Sequence, residues 1–141
     1  MSTLGRAIAI AAEAHQKQLD KAGVPYILHP IRVMLKQTGE TDMMAAILHD
    51  VVEDTDWTLD QLRSEGFSEE IVEAVDCLSR REGETYEAFT ERVKTSAIAR
   101  RVKVADLEDN MDVKRLPDVT ERSVERLRLY HRVWGELKGL V

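Results

Sequence analysis

The sequence predicts an all-α fold, a bundle of about seven to nine helices in one domain over residues 1–141, and three observations predict it. Apolar residues recur at helical spacing almost everywhere, and no alternating run is long enough for a strand. Only three prolines and seven glycines interrupt the 141 residues, and they mark loops rather than a domain boundary. Hydrophobic residues are 43% of the chain and aromatics only 5%, so aliphatics and alanine must build the core.

The first helix is expected from about Thr3 to Gln18, capped by Ser2 or Thr3. Its apolar stretch carries one Arg and no cleavage pattern, and its periodicity continues into Glu13 and His15. It therefore reads as a helix of the mature domain and not as a signal peptide. LDKAGVPYILHP is a turn, because Gly23, Pro25 and Pro30 all resist helix. A helix from about Pro30 to Gln37 follows, with proline in its first turn.

Thr41 or Asp42 caps the next, which is expected to reach Val52. Thr58 with Gln61 forms a capping box for a short helix ending at Gly66. Ser68 starts a helix carrying Ile71, Val72, Val75 and Leu78 on one face. Glu84 to about Leu107 reads as two helices broken near Thr95 or Ser96. Thr120 to Leu137 closes the bundle with Val124, Leu127, Tyr130, Val133 and Trp134 on one side.

Composition excludes some functions. A net charge of −6 opposes a nucleic-acid surface, which needs a basic excess. No apolar run approaches the roughly 20 residues of a membrane span. Cys77 is the only cysteine, so no internal disulfide forms and a reducing cytoplasm is the expected setting. Cys77 itself reads as a small buried hydrophobe.

One stretch resists a purely structural reading. In AILHDVVEDT, residues His49, Asp50, Glu53 and Asp54 fall within about 140° of one helix face at about 100° per residue. A solvated acidic face is the ordinary explanation. Against it, Met43, Ala46 and Ile47 put apolar groups on the same side one turn earlier, and the acids meet the negative end of the helix dipole. Crowded carboxylates away from water need either a proton or a cation. His29, beside Pro30, and Asp106, in the apolar VKVADLEDNM, supply further nitrogen and oxygen donors. Such a set suits Mn²⁺, Fe²⁺ or Zn²⁺.

The order His29-Pro30, His49-Asp50, Asp106 resembles the metal-binding pattern of the HD superfamily of phosphohydrolases. AHQKQLDKAGVPYILHP, AAILHDVVEDT and VKVADLEDN further resemble the hydrolase domain of the RelA/SpoT family and its stand-alone small alarmone hydrolases, over about Ala7 to Leu137. The resemblance implies Mn²⁺ held by His29, His49, Asp50 and Asp106. Glu53 and Asp54 would orient or deprotonate the attacking water. Lys21 would meet phosphate and Asn110 the ribose or base. The implied reaction removes the 3′-pyrophosphate of guanosine tetra- or pentaphosphate, in a cytoplasmic monomer or homodimer. A chain of 141 residues is expected to carry no added synthetase domain.

The chain departs from this family where substrate is read. Asp20 stands in Gln18-Leu19-Asp20-Lys21 where the family carries an arginine expected to stack on guanine, and Leu107-Glu108-Asp109 replace basic or aromatic residues. An acid neither stacks as a guanidinium does nor attracts phosphate. Asp20→Arg is therefore expected to ease guanosine tetraphosphate binding. A phosphohydrolase for another nucleotide, such as a dinucleotide phosphate or a nucleoside di- or triphosphate, is the nearest alternative. A non-catalytic nucleotide-binding module is the other.

Overall fold

In the computed structural model, which describes residues 1–141, every regular element is helical. The order is α1 Leu4–Ala14, α2 Leu28–Leu35, α3 Glu40–Leu48, α4 Val51–Asp54, α5 Leu59–Ser64, α6 Glu69–Leu78, α7 Tyr86–Lys94, α8 Ala97–Asn110 and α9 Glu121–Lys138, with a 3-10 turn at Val113–Arg115. The one β-type pairing is an isolated bridge between Leu19 and Pro25. Local chemistry explains most starts. Thr3, Thr85 and Ser96 each accept a backbone N–H three residues on, and Thr58 and Thr120 form reciprocal capping boxes with Gln61 and Ser123. Ser96 is thus the break expected between α7 and α8.

Several boundaries differ from expectation. Helix α3 starts at Glu40 with Gly39, and not Thr41 or Asp42, at its cap. The first helix stops at Ala14, and the chain turns so that the Gln18 side chain donates to the Asp54 carbonyl at 3.1 Å. The second begins at Leu28, which places Pro30 where no backbone donor is needed. The helix expected to run through to Val52 ends at Leu48 and restarts at Val51. The cause lies in the Ala46 carbonyl, which a continued helix would offer to Asp50. It accepts instead from the His49 backbone N–H at 3.3 Å and from the His49 ring at 2.6 Å.

Helix α3 is the hub, packing on α1, α2, α6 and α8. Ala45, Ala46, Ile47 and Leu48 are all fully buried, so the last turn of this helix is apolar on every side, as an interior turn must be. Burying Ile47 and Leu48 contributes about 1.5–3 kcal/mol each. Helix α8 buries Val102, Ala105 and Leu107 beside Asp106 and Asp109, and α9 packs against it. Cys77 is half-buried rather than buried, with its Sγ 3.6 Å from the Thr95 hydroxyl. No helix is long and apolar enough to cross a membrane.

Candidate metal centre

Two histidines and two aspartates, from three separate parts of the chain, meet at the α3–α4 joint. His29 comes from α2, His49 and Asp50 from the joint itself, and Asp106 from α8. His29 Nε2 is 2.9 Å from Asp106 Oδ1 and 3.8 Å from Asp50 Oδ2. His49 Nε2 is 3.1 Å from Asp50 Oδ2 and 3.4 Å from Asp106 Oδ1. Donor atoms of His29, His49 and Asp50 lie within 4.8 Å of one another, so one ion could touch all three.

The hydrogen bonds on the far side of each ring fix which nitrogen faces inward. His49 Nδ1 donates to the Ala46 carbonyl, and His29 Nδ1 lies 2.5 Å from Asp109 Oδ2. Both rings therefore present Nε2 to the cluster. His49 Nε2 is buried and has no hydrogen-bond partner, because neither nearby carboxylate meets it in bonding geometry. An orphaned buried nitrogen facing two carboxylates and a second imidazole is what a divalent ion would satisfy. The donor set fits such an ion.

The electrostatics run in two directions. Burial opposes charge on His49, but Asp50 and Asp106 outweigh it and hold its pKa well above the ordinary value. The same contest lowers Asp50 to about 2, with burial opposed chiefly by His49. Asp106 is held well below its usual range because Lys103 and the two histidines outweigh its burial. On α4 the balance reverses. Burial raises Glu53, although the Arg80 backbone N–H, 2.5 Å from its Oε1, pulls the other way. Burial together with the charges of Asp50 and Glu53 pushes Asp54 up to about 7. Both α4 acids lie on the exposed rim of the site, so water screens part of these shifts.

The cluster opens into a cavity of about 250 Å³ lined also by Glu53, Asp54, Arg80, Lys103 and Tyr86. Lys103 is nearly buried and donates to Asp106 at 2.8 Å. Tyr26 donates to Asp50, and burial beside that carboxylate keeps the phenol protonated. A second cavity of about 320 Å³ adjoins the first, since Tyr26, Asn110 and Tyr130 line both. Its other walls include Asp20, Lys21, Arg115, Arg126 and Leu127.

Eight of the nine residues singled out from the sequence thus line one cavity or the other, and His49 lies buried behind the first. His29, His49, Asp50 and Asp106 converge, Glu53 and Asp54 stand on the rim, and Lys21, Asn110 and Asp20 border the second cavity. The Asp20 carboxylate is already occupied. Its Oδ1 accepts the N–H groups of Ala22 and Val24 at 2.8 and 3.0 Å, tying a turn in which Gly23 takes a φ of 77°. Its Oδ2 lies 3.7 Å from Arg115. The repulsion expected from Asp20 is therefore met by the Arg115 guanidinium beside it.

Sequence reasoning missed Tyr26, Arg80, Lys103, Arg115 and Arg126. Lys103, one turn before Asp106, could have been found by helical spacing. The others come from loops and distant helices.

Comparison with known proteins agrees with this architecture. A family model described as HD domain matches residues 7–122. A probable GTP pyrophosphokinase of Mycobacterium leprae is 38% identical over 128 residues, covering 82% of this chain and 16% of that protein. A guanosine-3′,5′-bis(diphosphate) 3′-pyrophosphohydrolase of Aquifex aeolicus is 33% identical over 116 residues, covering 76% of this chain and 16% of that protein. The chain therefore spans about one sixth of the length of these curated relatives. A solved structure of a metazoan ortholog of SpoT that hydrolyzes ppGpp superposes with a TM-score of 0.79 at 24% identity, over 95% of this chain and 84% of that one.

Proposed function

The chain belongs to the HD domain family, and from that premise we propose that it is a metal-dependent pyrophosphohydrolase removing the 3′-pyrophosphate of guanosine tetra- or pentaphosphate. The observation that carries the reading is the convergence of His29, His49, Asp50 and Asp106 around the orphaned His49 Nε2, beside two carboxylates of raised pKa. The relatives from Aquifex aeolicus and from metazoa, whose names state this activity, supply the substrate class.

His29, His49, Asp50 and Asp106 would hold the ion, with Mn²⁺ the first choice and Fe²⁺ or Zn²⁺ the alternatives. A divalent ion there lets water ionise near neutral pH and offsets the negative charge of phosphate. The remaining work falls to the chain. Asp54, on the rim one turn beyond the ligand pair, takes the proton of the attacking water as general base. Glu53, anchored to Arg80, orients that water. Lys103 and Arg80 line the same cavity and neutralise the pyrophosphate. The water oxygen bonds to the phosphorus attached to the 3′-oxygen, that P–O bond breaks, and the leaving 3′-oxygen receives the proton that Asp54 accepted. The second cavity takes the nucleoside, with Asn110 and Lys21 on its walls. We read residues 1–141 as one such domain.

A second reading, hydrolysis of a different phosphorylated nucleotide, is favoured by one observation. The base-side wall carries an Asp20–Arg115 pair in place of a free arginine. Purified protein with Mn²⁺, presented with a panel of phosphorylated nucleotides, separates the two. Pyrophosphate released from guanosine tetraphosphate supports the first reading. Preferential turnover of another nucleotide selects the second, and no turnover of any removes both.

A further inference from the structure

Arg115 reaches two places at once. Its Nη1 donates to Asp109 Oδ2 at 2.9 Å and to the Asp109 carbonyl at 3.0 Å. Its Nη2 stands 3.7 Å from Asp20, and the side chain walls the second cavity. Asp109 is 5% exposed, and the oxygen that binds Arg115 also takes the His29 Nδ1 at 2.5 Å. The other oxygen takes Arg32 Nε at 2.7 Å, and Arg32 Nη2 also reaches the first at 3.1 Å. One buried carboxylate thus sits between an imidazole that faces the metal cluster and two guanidinium groups. Of those groups, Arg115 and not Arg32 borders the second cavity.

A carboxylate behind a ligating histidine fixes ring orientation and basicity, so whatever fixes the carboxylate acts on the metal. Resting on the nucleotide reading above, we infer that Arg115 is a positioning residue shared by both cavities. Through Asp109 it aims His29 at the metal cluster, and with its outer edge it shapes the nucleoside wall. Arg32 performs only the first task. Lysine cannot replace Arg115, because a single ammonium does not span Asp109, the Asp109 carbonyl and Asp20 together as a planar fork does.

The test compares wild type with Arg115→Ala, Arg115→Lys and Arg32→Ala. Mn²⁺ affinity is measured by calorimetry on metal-free protein, and coordination by the visible spectrum of the Co²⁺ form. The KM is measured at saturating Mn²⁺ for whichever nucleotide the wild type hydrolyses. Both Arg115 variants should bind Mn²⁺ about tenfold more weakly, at the lower end of what outer partners of metal ligands contribute, with an altered Co²⁺ spectrum. Their KM should rise about tenfold, the effect of one charge-assisted contact. Arg32→Ala should weaken Mn²⁺ comparably and leave KM alone. Unchanged metal affinity and Co²⁺ spectrum in the Arg115 variants overturns the hold on His29. Weakened metal with normal KM overturns the shared role and makes Arg115 equivalent to Arg32. A wild type that hydrolyses no nucleotide removes the functional reading instead, and the metal arms still decide the hold on His29. Thermal melts verify folding, and if Arg115→Ala fails to fold, the charge-retaining lysine variant carries the test.

Discussion

The two acidic helix ends facing each other across the site behave in opposite ways. At the α3–α4 joint, Glu53 and Asp54 have no lysine or arginine side chain bonded to them, and both hold protons more tightly than usual. At the end of α8, Asp106 and Asp109 are met by Lys103, Arg32 and Arg115 as well as the histidines, and both hold protons less tightly. Both ends carry a pair of carboxylates. Counter-charge decides the difference: the α8 carboxylates are paired with cations, whereas those of α4 are not, and Asp54 is pushed up to about 7 in the metal-free protein.

The largest expected effect tests the ground the two ends share. Asp50→Ala or Asp106→Ala should abolish Mn²⁺ binding in a folded protein, a loss beyond the roughly 100-fold upper range of second-layer substitutions. An unchanged metal content by elemental analysis would remove the proposed ligand set.

The next breaks the comparison on the α4 side. Asp54→Asn should lower kcat by about 10²–10⁴-fold while metal content stays near normal, since a base is lost and no ligand. Glu53→Gln should cost less, because its main-chain anchor at Arg80 survives with an amide oxygen. Full activity in both variants would take α4 out of the mechanism.

Stability sharpens the contrast further. Asp109 has a folded pKa below its unfolded one, so its contribution is present above the unfolded value near 4 and is lost as pH falls through that region. Asp109→Asn should thus destabilise metal-free protein at pH 7 by about 3 kcal/mol, since two arginines and His29 lose a buried partner. Asp54 has the opposite sign. Its folded pKa of about 7 lies above the unfolded value, so stability falls as pH rises from about 4 to about 7 and stays low above. Asp54→Asn should therefore stabilise metal-free protein at pH 8, by about 1 kcal/mol after solvent screening, and leave it unchanged at pH 3. Urea unfolding of both variants at pH 8 and at pH 3 checks the pair. Equal signs would mean that counter-charge does not separate the two ends.

The smallest effect concerns the edge of the second cavity. Asp20→Arg should cost about 1 kcal/mol through its two lost turn hydrogen bonds. It should not improve turnover of guanosine tetraphosphate, because Arg115 already presents a guanidinium there. A tenfold gain in kcat/KM would restore the view of Asp20 as a misplaced charge.

Much of this protein is written in local pattern. Helical spacing, the Thr58–Gln61 box and the Ser96 break follow from neighbours three or four residues apart, and so were legible. His29, His49, Asp50 and Asp106 could be named because their chemistry stands out in apolar segments and their motifs resemble a known family. Tertiary packing decided what surrounds them. Nothing near His49 in sequence says that its ring would take the Ala46 carbonyl and split the helix. Nothing near Asp109 says that it would meet His29 across 80 positions, or that Arg115 would answer Asp20. The physical reason is range: side-chain spacing along a helix is set by covalent geometry over a few residues, whereas the charge of a carboxylate depends on partners within a few ångströms in space, which only the packed bundle brings together.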